Sequence, residues 1–260
     1  MIRTVAAVRY VTPLREGGSL PAIVEADDGR LYVMKFVGAG QGPKALIAEL
    51  VAGEIARALQ LQVPELVFVE LDSQLGRSEP DPEIQDLLQA SAGRLNLGLH
   101  YLPNALDFNL LLKPPPEARL ASDIVWFDSY VTNVDRTARN VNLLMWQDDL
   151  WLIDHGASLY FHHSWDDYLA RSKSPFSLIK DHTLLSFASD LTAADARLRP
   201  QLTEPLLREI VEAIPAEWLG EEPMFATQAK HREAYVSYLL SRLETTAFVE
   251  EALHARAKLV

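Results

Sequence analysis

The sequence contains no cysteine, which excludes disulfides, thiolate metal sites and cysteine nucleophiles. It also lacks any apolar run of membrane-spanning length, and Met1-Ile2-Arg3-Thr4-Val5 does not open a secretory signal peptide. No membrane association is expected, and a cytoplasmic location is the default expectation. Positive charge is scarce: 24 Lys and Arg stand against 36 Asp and Glu, a formal net charge of −12. Nucleic-acid binders usually present a basic face, so broad contact with a phosphate backbone is not expected. The seven histidines show no regular spacing, which argues against a transition-metal site.

What is present is a chain of 260 residues, 48% of them hydrophobic, enough for a core in one large or two small domains. Its most informative stretch is Asn133-Val134-Asp135-Arg136-Thr137-Ala138-Arg139-Asn140, followed by Trp151-Leu152-Ile153-Asp154-His155-Gly156. An Asp, an Asn five residues later and an Asp fourteen residues beyond that, at the end of an apolar strand, match the spacing used for phosphoryl transfer. That chemistry requires positioning and charge neutralisation: one carboxylate faces the acceptor hydroxyl, and a carboxamide with a second carboxylate holds Mg²⁺ against the nucleotide phosphates. Asp135 suits the first role, Asn140 and Asp154 the second. Val141 to Trp146 and Leu150 to Ile153 read as a hairpin across Gln147-Asp148-Asp149, which would carry Asp154 to the loop of Asp135 and Asn140.

The first hundred residues read as strands Val5 to Val11, Ala22 to Ala26 and Leu31 to Val37, the last two joined by the turn Asp27-Asp28-Gly29-Arg30. Gly17-Gly18-Ser19 would let backbone N–H groups approach a phosphate. Lys35 interrupts an apolar strand, where a buried ammonium needs an anionic partner. The following helix, Pro43 to Leu59, has its apolar stripe at 46, 50, 51, 55, 58 and 59 and offers Glu49 or Glu54. Leu95 to Pro103 reads as a strand leading into an interlobe hinge whose backbone would meet an adenine edge, with Leu99 and Tyr101 as nucleotide-binding candidates.

Beyond the turn-rich stretch Asp72 to Glu83, helices are expected at Glu83 to Ala90, at Asp123 to Val131 with Ser122 as N-cap, from Thr192, at Leu206 to Ala213 and along Gln228 to Leu253. His162-His163 should follow an apolar strand, and His155 is placed to hydrogen-bond the catalytic loop.

Phe127 to Arg136 with Asn140 resembles the catalytic loop of the HipA-like kinases, and Tyr32 to Phe36, Ala48-Glu49, Ile55 to Leu59, Val63-Pro64-Glu65, Ile153 to Gly156 and Ile214 to Leu219 resemble its compact single-chain members. The resemblance implies an α+β class and a bilobal protein-kinase-like fold, with a small β-rich N-lobe over residues 1–103 and a mostly helical C-lobe over 104–260. It implies Asp135 as catalytic base, Asn140 and Asp154 as Mg²⁺ ligands, Lys35 as phosphate anchor and Glu49, ahead of Glu54, as its ion-pair partner. ATP and Mg²⁺ are the implied cofactors, and a protein serine or threonine is the implied acceptor. Ser19 would be the counterpart of a self-silencing phosphorylation site. Thr137 stands where the family often has His, and Asp154-His155-Gly156 replaces Asp-Phe-Gly, so gating by a buried Phe is not expected. The chain lacks room for a long N-terminal domain, so an antitoxin-like partner and toxin function are not implied. Two alternatives remain: a small-molecule kinase of the aminoglycoside or choline kinase type, and a nucleotide-binding regulator without turnover.

Overall fold

A computed structural model describes residues 2–14, 20–75, 79–111 and 114–259. Strands β1 (Thr4–Pro13), β2 (Ala22–Ala26), β3 (Leu31–Lys35), β4 (Leu66–Leu71) and β5 (Leu95–His100) close into a barrel in the order β1-β2-β3-β5-β4. The closing pair is parallel, from Thr4 opposite Phe68 to Ala7 opposite Leu71. The sequence predicts a small β-rich lobe here without its closure; the closure follows from β1, whose register against β2 shifts between Ala7 and Arg9 and again between Tyr10 and Thr12. Such bulges bend a strand and increase its twist. Val5, Ala7, Val24, Tyr32, Met34, Val67 and Val69 fill the interior, joined by Ile84 and Leu88 of α2 (Pro82–Ser91). Gly98 is required by this packing, because a Cβ there would stand 2.7 Å from Val69 Cγ2 and 2.9 Å from Val67 Cγ2.

Strand alternation places Lys35. Tyr32 and Met34 point into the barrel, so Val33 and Lys35 point out. That outer face is covered by α1 (Gly42–Ala58), where Leu46 to Gly53 form an unbroken buried run. An unbroken run is wider than the single stripe expected from the sequence. The reason is a second neighbour: α1 packs on the barrel and also on α6 (Glu204–Glu212) and α7 (Ala216–Leu219). α7 in turn clips β5, since Trp218 Nε1 donates to the Leu95 carbonyl (2.9 Å) and Glu217 accepts the Leu95 N–H (2.7 Å).

The remaining elements are β6 (Leu106–Asp107), α3 (Ala118–Tyr130), β7 (Leu143–Trp146), β8 (Asp149–Leu152), α4 (Tyr168–Ser172), α5 (Leu191–Leu198), α8 (Gln228–Leu243) and α9 (Ala247–Ala257). β6 adds to the expected hairpin as a third strand. One apolar core runs from α1, Leu97 and Leu99 through α3 into the C-terminal helices.

Several boundaries differ from the sequence reading. β3 ends at Lys35 because the Val37 N–H leaves the ladder for Asn96 Oδ1 (3.0 Å). α3 begins five residues before Asp123, with Glu117 at its cap position; Ser122 lies inside the helix, donating to the Ala118 carbonyl (2.6 Å) and accepting the Asp190 N–H (2.8 Å). α5 starts at Leu191, which puts Thr192 within its first turn. The stripe from Gln228 to Leu253 is divided at Glu244 to Thr246 into α8 and α9. His162 and His163 close a 3-10 turn, Tyr160–His163, rather than following a strand.

Arg242 of α8 is buried and ties the end of α3 in place. Its guanidinium donates to the carbonyls of Tyr130 (2.8 Å), Ser129 (2.7 Å) and Ser172 (2.9 Å) and lies over the Phe248 ring. These carbonyls are orphan acceptors at the C-termini of two helices, α3 and α4. Arg242→Leu is therefore expected to destabilise the fold by about 3 kcal/mol in urea unfolding, since it strands several buried acceptors. A loss below about 1 kcal/mol would show that water substitutes for the guanidinium.

Candidate active site

Three charged side chains from distant segments meet against the middle of α1. Lys35 Nζ lies 2.6 Å from Glu49 Oε2 and 2.6 Å from Asp154 Oδ1. Glu49 is fully buried, whereas Glu54, the other acid offered by this helix, pairs with its neighbour Arg57 (3.1 Å). Burial alone would raise the Glu49 carboxyl; the Lys35 ammonium and His155 outweigh it and hold that carboxyl at about 2. Burial likewise opposes the charge on Lys35, and the carboxylates of Glu49 and Asp154 reverse its effect, so the ammonium titrates above its ordinary value.

Asp154 follows β8 in the left-handed backbone region, φ 54°, a conformation that Asp adopts more readily than most side chains. His155 turns inward there: its Nδ1 stands 3.4 Å from Glu49 Oε1 and its ring meets Phe127 edge-on. It therefore braces Glu49 and not the catalytic loop, contrary to the sequence expectation. The chain beyond it runs along that loop, with the Leu159 N–H on the Val131 carbonyl (2.7 Å) and the Tyr160 N–H on Thr132 Oγ1 (3.2 Å).

The loop itself is closed by local bonds. Asn133 Oδ1 accepts the Asp135 N–H (3.1 Å), the Thr137 N–H reaches the Asp135 and Asn140 carbonyls, and Thr137 Oγ1 accepts the Asn140 N–H (3.3 Å). Asn140 Nδ2 donates to Asp135 Oδ2 (2.6 Å), and Asn142 Nδ2 stands 3.5 Å from the same oxygen. Leu143 pairs with Leu152 across the hairpin, and the Ile153 N–H donates to the Asn142 carbonyl (3.1 Å). The hairpin thus sets the Asn140 to Asn142 segment beside Asp154.

Lys35, Asn140, Asn142 and Asp154 line one cleft of about 1100 Å³, with Val33, Leu99, Leu102, Phe108, Leu143 and Ile153 among its apolar walls. Leu99 and Tyr101 line it too, but the structure commits neighbouring main-chain donors elsewhere: the His100 N–H goes to the Glu65 carbonyl (2.9 Å) and the Tyr101 N–H to the Leu31 carbonyl (2.9 Å). Leu99 is paired on both sides, with Val33 and with Leu66. These two N–H groups are spent on neighbouring backbone, and Leu99 contributes an apolar wall to the cleft. Gly17, Gly18 and Ser19 lie outside the described residues; the flanking Leu14 N–H donates to the Pro21 carbonyl (2.7 Å), and both of those residues line the cleft.

The donor set suits a hard divalent cation carried by a nucleotide. Asp154 spends Oδ1 on Lys35 and keeps Oδ2; Asn140 spends its amide nitrogen on Asp135 and keeps its carbonyl oxygen. Among the described residues no three His, Asp or Glu side chains gather into a self-sufficient metal cluster. Two protein oxygens completed by phosphates and water form the coordination typical of Mg²⁺.

Sequence reasoning passed over Asp128 and His182. Both are buried, and Asp128 Oδ2 receives Arg136 Nε (2.6 Å) and His182 Nε2 (2.9 Å) while its Oδ1 receives Asn133 Nδ2 (2.9 Å). The signal for Asp128 was present: an acid directly after the apolar run Ile124-Val125-Trp126-Phe127. His182 had none, because it arrives through tertiary structure, pairing with Thr137 across an isolated bridge.

Comparison with known structures finds a kinase of similar fold. The Helicobacter pylori proinflammatory kinase CtkA superposes with a TM-score of 0.60 at 16% identity, covering 99% of both chains. The Golgi casein kinase with Mn/ADP bound gives a TM-score of 0.49 at 13% identity, over 96% of this chain and 73% of its own. No curated protein matches. The sequence model of the HipA-like kinases matches residues 7–252, nearly the whole length, and the chain belongs to the HipA-like kinase family.

Proposed function

We propose that this protein is an ATP- and Mg²⁺-dependent kinase that phosphorylates serine or threonine hydroxyls of a protein acceptor. The observation that carries the reading is the convergence of Lys35, Asn140 and Asp154 on a single cleft, with Asp135 hydrogen-bonded to Asn140 at its wall. In this reading residues 1–103 form a small lobe that holds the nucleotide, residues 104–260 form the catalytic lobe, and the cleft between them is the ATP site. A cytoplasmic setting fits the absence, among the described residues, of a helix long and apolar enough to cross a membrane.

Each side chain then has a task. Lys35, kept charged and in place by Glu49, binds the α- and β-phosphates. Asp154 and Asn140 offer the oxygens that would hold Mg²⁺, which supplies charge neutralisation at the phosphates. Asp135 accepts the proton of the acceptor hydroxyl as its oxygen bonds to the γ-phosphorus and the bond to the ADP oxygen breaks. Thr137, in place of the His frequent in the family, closes the loop through its hydroxyl and takes no part in proton transfer.

Asp154→Ala tests the metal assignment. Calorimetric titration with ATP should show that Mg²⁺ strengthens binding to the wild-type protein and no longer does so in the variant, while the metal-free affinity stays within about threefold. An undiminished Mg²⁺ effect in the variant would remove Asp154 from the metal site.

A further inference from the structure

Arg136 and Asp128 form an ion pair in which both side chains are fully excluded from solvent. Such a pair is a poor source of stability, because desolvation cancels much of the attraction and an apolar pair of equal volume commonly serves as well. Its geometry accounts for it better. The guanidinium is a rigid fork: Nε engages Asp128 on α3, while Nη1 donates both to the carbonyl of Asn142, at the end of the catalytic loop, and to that of Ile153 (3.2 Å), the residue before Asp154. Asp128 is fixed in its turn by Asn133 within the loop and by His182 outside it.

Asn142 shows that the backbone is held at this point. Its φ is 51°, a left-handed conformation uncommon for side chains other than Gly, Asn and Asp. Its carbonyl accepts from both Arg136 and the Ile153 N–H, and its amide nitrogen faces the Asp135 carboxylate. Two segments that supply separate halves of the site are thus joined through one side chain that itself touches neither phosphate nor acceptor.

We propose that Arg136, anchored by Asp128, is a positioning residue that sets the distance between the carboxamide side of the metal site, Asn140, and its carboxylate side, Asp154. The inference rests on the reading of those two residues as Mg²⁺ ligands. Lysine cannot replace arginine in this role: a single ammonium reaches either Asp128 or the two carbonyls, not all three.

The test compares ADP affinity with and without Mg²⁺ in the wild type, Arg136→Lys and Phe248→Leu, the last a substitution of a core residue that packs on Trp126 and Tyr130 of α3, the helix of Asp128, without joining the Arg136–Asp128 pair, and so controls for lost stability. The expected result is that Mg²⁺ strengthens ADP binding in the wild type and in Phe248→Leu, that this gain falls at least tenfold in Arg136→Lys, and that metal-free ADP binding is unchanged in all three. Amide exchange in ligand-free Arg136→Lys should accelerate at Ile153. An unchanged Mg²⁺ gain in Arg136→Lys would overturn the inference, as would an equal loss in Phe248→Leu. Should Arg136→Lys fail to fold, Asp128→Asn is read in the same way; failure of both to fold would assign the pair to stability and also overturn it. A wild type without any Mg²⁺ gain would instead refute the metal site itself, and the inference with it.

Discussion

Asp135→Ala is expected to reduce phosphoryl transfer by about 10²- to 10⁴-fold, the usual contribution of a positioned general base, while ATP binding is retained. The separation of the two effects follows from the geometry. Asn140 and Asn142 line the cleft, and Asp135 hydrogen-bonds to Asn140 and faces Asn142. Removing its carboxylate leaves Lys35, Asp154 and the apolar walls untouched. The binding constant measured by calorimetry should therefore shift by less than threefold, and the rate of label transfer from γ-labelled ATP should collapse. A parallel loss of both would mean that the carboxylate holds the loop rather than the proton.

Lys35→Met is expected to be costly to stability as well as to binding. Glu49 is fully buried and loses its ammonium partner, keeping only His155 at 3.4 Å. Breaking a buried pair from one side typically costs about 3–5 kcal/mol, because the remaining charge is left uncompensated. The sign of its pH dependence distinguishes this cause from lost packing. In the wild type the Glu49 carboxyl is held at about 2, below its ordinary value, so its contribution is present above the unfolded-state value and is lost as pH falls toward 2. In Lys35→Met burial dominates and lifts that carboxyl above the unfolded-state value. The variant's deficit should then be largest at neutral pH and shrink on acidification, as the carboxyl protonates. Urea unfolding at several pH values measures it; a deficit independent of pH would point to packing alone. Lys35→Met/Glu49→Leu should recover most of the loss in stability without recovering ATP binding.

How far the site could be read from the chain depends on the kind of signal each residue leaves. Lys35 was legible because a charged residue in Tyr32-Val33-Met34-Lys35-Phe36 violates the apolar pattern of its strand, and Glu49 because an acid stands among the apolar positions of the next helix. Their meeting with Asp154 is geometry that two periodicities and one hairpin can carry. The barrel was not legible, since closure depends on bulges in β1 and on the tight contact at Gly98, neither of which has a composition signature. The role of His155 was misjudged for the same reason: its place beside Asp154 in sequence suggested the catalytic loop, whereas the left-handed turn at Asp154 sends it to Glu49. Main-chain donors near Tyr101 were equally hidden, because whether an N–H is free depends on the neighbouring strands and not on its own residue. Arg136 could be read as part of a motif, yet its fork toward Asn142 and Ile153 becomes visible only once Asp128 and His182 are in place.

The central claim is that Lys35, Asn140 and Asp154 in one cleft, with Asp135 hydrogen-bonded to Asn140 at its wall, serve phosphoryl transfer from Mg²⁺-ATP. Its most direct test is incubation of the purified protein with Mg²⁺ and γ-labelled ATP, alone and with a soluble protein extract, beside Asp135→Ala, followed by phosphosite mapping. The account predicts label on serine or threonine with the wild-type protein and none above background with the variant. Equal incorporation by the two proteins would contradict it, as would a wild type that neither transfers label nor binds Mg²⁺-ATP.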